Sequence, residues 1–248
     1  MGAPRMNAQA RPAFYALAPG GWRDYVTLLH PPYTLWHLSY VAIGAALAPN
    51  LHVERLLQTL AAFFLALGVG AHALDELYGR PLGTRIPQTT LVGLAVASIG
   101  GAVAIGVVVA AQVDPWLLAF VAAGAFLVLA YNLELWQGRF HGDWWFAAGW
   151  GAFPLVTAYY AQAQRLPVEA VAGAAFAVLT SLAQRQLSTH VRAVRRKALR
   201  VSGEIVRVDG DVRAIDETTL TRAPEQALRA LTGAVVALAV ALVLLRVT

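Results

Sequence analysis

The residues best equipped for chemistry lie in one stretch, Ala71-His-Ala-Leu-Asp-Glu-Leu-Tyr-Gly-Arg-Pro-Leu-Gly-Thr-Arg-Ile-Pro87. His72, Asp75 and Glu76 stand three and four positions apart, so a helix presents them on one face. Asp75 and Glu76 offer oxygen ligands and His72 an imidazole, a set suited to a metal ion or an anionic head group. Arg80 and Arg85 follow at once, with planar donor forks that match a phosphate. The same set also suits a polar collar where an apolar helix leaves a bilayer, with Asp75 or Glu76 paired to Arg80. Further along, Arg139, Arg185 and His190 are candidate phosphate ligands; their alternative use is as orientation signals or lipid head-group contacts. His141 and Asp143 suit a proton relay or an interfacial belt. His37 and Tyr40 sit inside an apolar run, which puts them either on an internal cavity or in hydrogen-bonded packing.

The elements that must position these groups are apolar. Of 248 residues, 58% are hydrophobic and only 13% charged, with a mean hydropathy of +0.56. Soluble domains carry roughly a quarter charged residues, so the composition places the chain among membrane proteins. The absence of cysteine excludes disulfides, thiolate metal sites and cysteine nucleophiles. The net charge of +5 crowds into one region between apolar runs, a pattern of membrane orientation and not of nucleic-acid binding.

Residues 1–29 form an amphiphilic leader, with Trp22, Arg23 and Tyr25 suited to an interface. No cleavable signal pattern is present, and the first span is expected to serve as the insertion signal. Apolar runs predict spans at about 33–48, 55–74, 89–111, 116–133, 144–162, 166–182 and 226–245. The expected fold is therefore all-α: a polytopic membrane helical bundle of about seven transmembrane helices. Six of these fall in 30–183 and the last in 226–248. Between them, 184–225 is a basic loop in which Asp209-Gly210, flanked by alternating apolar and polar residues, predicts a small cytoplasmic β-hairpin. Pro224-Glu225 suits the first turn of the last helix. The arginine-rich connections alternate with poor ones, which orients the N-terminus to the cytoplasm and the C-terminus outside in the cell (inner) membrane.

Three pieces resemble the UbiA superfamily of intramembrane prenyltransferases. They are His30-Pro-Pro-Tyr-Thr-Leu-Trp-His-Leu-Ser-Tyr-Val-Ala-Ile-Gly-Ala-Ala-Leu-Ala48, the Asp75 to Pro87 segment, and Tyr131 to Pro154 with its Gly149-Trp-Gly151. They fall in matching order within roughly the first two thirds of the chain. The resemblance implies a UbiA-like bundle around an apolar cavity, in which carboxylate-held Mg²⁺ grips the diphosphate of a prenyl donor. Asp75 matches an aspartate of the family's first acidic motif, whose Asn-Asp pair falls on Ala71 and His72 and whose last Asp falls on Gly79. Where the second acidic motif belongs, Ser181 to Arg192 contains no carboxylate. The family commonly has nine spans.

The expected function is prenyl-group transfer or rearrangement on a lipophilic substrate. His72, Asp75 and Glu76 are its catalytic candidates, and Asp75 and Glu76 hold any Mg²⁺. The second reading is a non-enzymatic lipid-, quinone- or pigment-binding membrane subunit that keeps the fold, partnered by a larger complex. A small transporter is a third, disfavoured by the lack of inverted-repeat signals. Expected partners are an isoprenoid or other lipophilic small molecule and membrane lipid, with no nucleic acid.

Overall fold

The structure is a computed structural model, and residues 11–248 are described. It is mostly helical, with one small antiparallel sheet. A short helix α1 (Trp22–Leu28) leads into α2 (Pro31–Leu47). The His30-Pro-Pro sequence, which reads as a helix breaker, instead starts α2. His30 takes a left-handed conformation (φ 46°) and Pro31 occupies the first turn, where its missing N–H would be unpaired in any case.

The chain continues through α3 (Val53–Leu77), α4 (Gln88–Gln112), α5 (Leu117–Asn132), α6 (143–163) and α7 (168–197). The last helix, α8, runs Glu217–Val247. Three of these, α3, α4 and α8, are long and apolar enough to cross a membrane; α5 is apolar but shorter. The other segments are shorter or more polar.

Three helices carry a widened π-helical stretch: Phe64–Ala71 in α3, Ala147–Ala152 in α6 and Ala193–Lys197 at the end of α7. Each stretch shifts the rotational phase of the residues that follow it.

The last helix begins earlier than its apolar run suggests. Asp216 and Thr219 form a reciprocal cap, with the Thr219 N–H donating to Asp216 Oδ1 at 2.7 Å. Pro224 therefore lies inside α8 and not in its first turn. A proline there leaves the carbonyl four residues back without its helical donor. That carbonyl belongs to Leu220, and His190 Nε2 donates to it at 3.2 Å.

Between α7 and α8, β1 (Gly203–Val206) pairs with β2 (Val212–Ile215), Val206 opposite Val212. The hairpin expected around Asp209-Gly210 is present, with Gly210 at φ 85° and Asp209 Oδ1 accepting from the Asp211 N–H.

Close helix approaches are made by small residues. A Cβ on Gly44 of α2 would collide with the Leu155 carbonyl of α6, and one on Gly151 of α6 would lie 2.5 Å from Ser181 Oγ of α7. Tyr40 ties α2 to α7: buried in α2, it hydrogen-bonds Trp36 of the same helix and Thr180 and Ser181 of α7. The main core, from Leu28, Val41 and Phe63 to Tyr131, Trp150 and Ala158, draws on helices α1 to α6.

The bundle has two unlike ends. At one, His52, Arg55 and Gln58 meet Gln162, Ala161 and Gln112. The other carries His30, His72, the 78–87 loop, the 133–142 connection and the basic end of α7, and here the helices do not close.

Candidate functional site

A cavity of about 470 Å³ opens at that second end, within the size range of small-molecule sites. Its walls come from the leader, the start of α2, the end of α3, the 131–146 region and the basic part of α7. His72 and Asp75 line it from α3, and Arg185 from α7. These three of the eight sequence candidates meet at one place.

The π-helical stretch before His72 helps to set its pose. His72 Nδ1 donates to the Gly68 carbonyl inside that stretch at 3.0 Å, which leaves Nε2 as the proton-accepting nitrogen. His141 does the same through Nδ1 to the Tyr131 carbonyl, at 3.0 Å, and stacks on the Tyr131 ring. His37 Nδ1 donates to the Trp150 carbonyl at 2.8 Å, again inside a π-helical stretch. His30 stacks face to face on His72 with ring centroids 4.1 Å apart, and its Nδ1 is hydrogen-bonded to the Tyr15 hydroxyl at 2.8 Å. Burial first, and then the neighbouring His72 ring, hold His30 neutral well below the usual imidazole range. Burial likewise pushes the Tyr15 hydroxyl up, so it keeps its proton.

The other five candidates lie elsewhere. Glu76 is 1% exposed and faces the loop behind α3. Its carboxylate accepts from the Leu82 N–H (3.0 Å), the Thr84 N–H (2.8 Å) and the Thr84 hydroxyl (2.8 Å), so it pins that loop. The pairing of Asp75 or Glu76 with Arg80 is absent: Arg80 donates to the Thr84 and Ile86 carbonyls in the same loop. Arg85 has an exposed side chain, and its backbone N–H is held by buried Asp24 of α1. Arg139 is exposed outside the cavity, and His190 serves the Leu220 carbonyl. An i, i+3, i+4 spacing puts His72, Asp75 and Glu76 on one broad face, but the face spans both the cavity and the loop.

Other cavity groups come from residues that sequence reasoning passed over or did not rank. Arg192, Arg196 and Lys197 line the wall formed by the end of α7, opposite Asp75, together with Tyr15, Tyr33, Tyr131 and Asn132. The run of arginines from 185 to 200 gave the only signal, and it did not say which of them turn inward. Arg185 pairs with exposed Asp143 at 2.9 Å and lies over the Phe146 ring. Arg192 and Arg196 have no carboxylate within ion-pair distance among the described residues.

No family model, curated protein or solved structure matches the chain. The site has to be read from its own geometry.

Among the described residues, Asp75 is the only carboxylate in the lining, and no group of three histidines or carboxylates is arranged to hold a metal ion. With Glu76 committed to the loop, the donor set does not fit a carboxylate-held Mg²⁺. A second, apolar pocket of about 100 Å³ lies between α3, α4, α5 and α6, lined by Ala66, Leu67, Val103, Gly124 and Phe153 among others. It extends toward the closed end of the bundle, as far as Gln58 and Ala161. Trp150 belongs to both linings and forms the wall between them.

Proposed function

We propose that the chain is an integral membrane protein, with about seven crossings in a UbiA-like arrangement, that binds an amphiphile with an anionic phosphate or diphosphate head and an isoprenoid tail. One observation carries this reading: a cationic cavity and an apolar pocket meet at a single side chain, Trp150. Such a pair of spaces suits a ligand that is charged at one end and greasy at the other. The clustering of Arg185, Arg192, Arg196 and Lys197 supports the placement of the head, and the three long apolar helices support the membrane setting.

The chemistry that suits this arrangement is prenyl transfer or rearrangement. The carbon–oxygen bond to the diphosphate breaks with its electron pair leaving on the phosphate, and the cationic wall stabilises that charge. The acceptor attacks the allylic cation and gives up a proton, for which Asp75 or the His72 Nε2 is the available base. The positive-inside pattern supports a cytoplasmic mouth.

Detergent-solubilised full-length protein incubated with radiolabelled farnesyl diphosphate should retain the label and, with a suitable acceptor, release diphosphate. Asp75→Asn should lower turnover by about a hundredfold or more, the lower range for a lost general base, while retention persists. Failure to retain any prenyl diphosphate would refute the proposal. The presence of a single carboxylate favours the second reading, a subunit that binds the lipid without turning it over; retention with no diphosphate release under any condition would select it.

A further inference from the structure

We infer that the cavity holds its anion directly with the guanidinium and ammonium groups of Arg192, Arg196 and Lys197, with no divalent cation between them, and that its ligand is a phosphate or diphosphate ester of an apolar alcohol. This rests on the head-group reading above and adds to it how the head is held.

Arg192 donates from Nη2 to Thr189 Oγ1 at 2.9 Å, and Arg196 donates from Nε to the Pro12 carbonyl at 3.0 Å. Each guanidinium carries five N–H donors, so most of both forks is uncommitted among the described residues. Both side chains line the cavity, both are half-buried, and neither has a carboxylate partner among the described residues. Partly desolvated cations without a counter-charge gain from an anion that completes them.

A second, independent observation points to an occupant. The Tyr131 hydroxyl and Gln184 Oε1 are buried, belong to residues that line the cavity, and have no hydrogen-bond partner among the described residues. Unsatisfied buried polar atoms are rare in folded proteins and call for an explanation. A phosphate oxygen can accept from the Tyr131 hydroxyl. A bridging water or a protonated ligand oxygen can donate to Gln184.

The competing arrangement, a metal between carboxylates and diphosphate, lacks its ligands. Asp75 stands alone, and an incoming divalent cation would meet two uncompensated guanidiniums.

The test is calorimetric titration of the solubilised full-length protein with inorganic pyrophosphate, once in EDTA and once in excess Mg²⁺. Binding in EDTA at least as tight as in Mg²⁺ is expected, because Mg²⁺ masks the charge that the arginines read. Arg192→Gln should weaken binding by about tenfold or more, the loss of a charge-assisted hydrogen bond, whereas Asp75→Asn should leave it unchanged or tighter. The EDTA comparison uses the unaltered chain, so it stands even if a variant folds poorly. Binding that requires Mg²⁺ and is lost in Asp75→Asn would overturn the inference and leave the head-group reading intact. No binding of pyrophosphate or of farnesyl diphosphate in either buffer would overturn both. Displacement of pyrophosphate in EDTA by phosphatidic acid micelles but not by farnesyl diphosphate would uphold the metal-free grip and identify a phospholipid as its source.

Discussion

At the scale of single residues, Asp75 and Glu76 show how adjacent carboxylates acquire unrelated jobs. Asp75 faces a polar cavity, while Glu76 is sealed behind it with three donors on its oxygens. Glu76→Ala strands two buried backbone N–H groups and a hydroxyl, so a loss of about 3 kcal/mol is expected, read as a lower Tm in thermal unfolding with or without EDTA. His30 gives a pH prediction. Its folded-state pKa is depressed, so below about 6.5 the unfolded chain binds a proton that the folded chain refuses. Stability is then flat above pH 7 and falls as the pH drops below that value, at about 1.4 kcal/mol per pH unit for this one group. His30→Asn, which tolerates the left-handed backbone, should make the slope of Tm between pH 6.5 and 5 shallower by one proton's share, whatever it does to Tm at neutral pH.

At the scale of elements, the helices were largely legible and their phases were not. Apolar runs located α2 to α6 and the start of α7 to within a few residues, because a long apolar stretch has few alternatives to a helix. Helix α7 itself continues as a polar, basic helix to Lys197, well past the apolar run that ends near 182. The hairpin was legible for the same kind of reason: Asp209-Gly210 supplies the backbone freedom that a tight turn demands. The start of α8 was missed because its first turns are polar and are held by the Asp216–Thr219 cap, a local bond that hydropathy does not register. Arg192 and Arg196 could not be singled out, since a π-helical stretch begins between them and alters which way the later residues point. Small residues make the tightest crossings, and that has a direct test. Gly44→Ala drives a methyl group into the Leu155 carbonyl of α6, backbone that cannot rotate aside. A loss of about 3 kcal/mol is expected, at the upper end of overpacking costs, seen as a collapse in the yield of monodisperse protein. Gly93→Ala, where nothing lies within 4 Å, is the neutral control.

At the scale of the whole molecule, the two ends of the bundle divide the work. The closed end is stitched by bonds such as those from the His52 N–H to Gln162 and from Arg55 to the Ala161 carbonyl, while the open end gathers its polar groups around the cavity. If the apolar pocket takes the tail, its volume limits tail length and branching. Ala66→Phe fills that pocket from α3 without touching the cationic wall. The expected result is weaker retention of farnesyl diphosphate, by about tenfold, since roughly two methylene-sized contacts are lost at about 0.8 kcal/mol each. Inorganic pyrophosphate binding should be unchanged. Equal losses for both probes would mean that the two spaces do not share one ligand.

The widened turn at Phe64–Ala71 has a consequence for how such a chain tolerates shortening. An α-helix turns by about 100° per residue, so excising one amino acid from that stretch would leave a helix of nearly the same greasiness that swings everything beyond it by more than a quarter of a revolution. Asp75 would leave its present wall and Glu76 would lose the loop that it fastens, although no residue named in the chemistry had been altered.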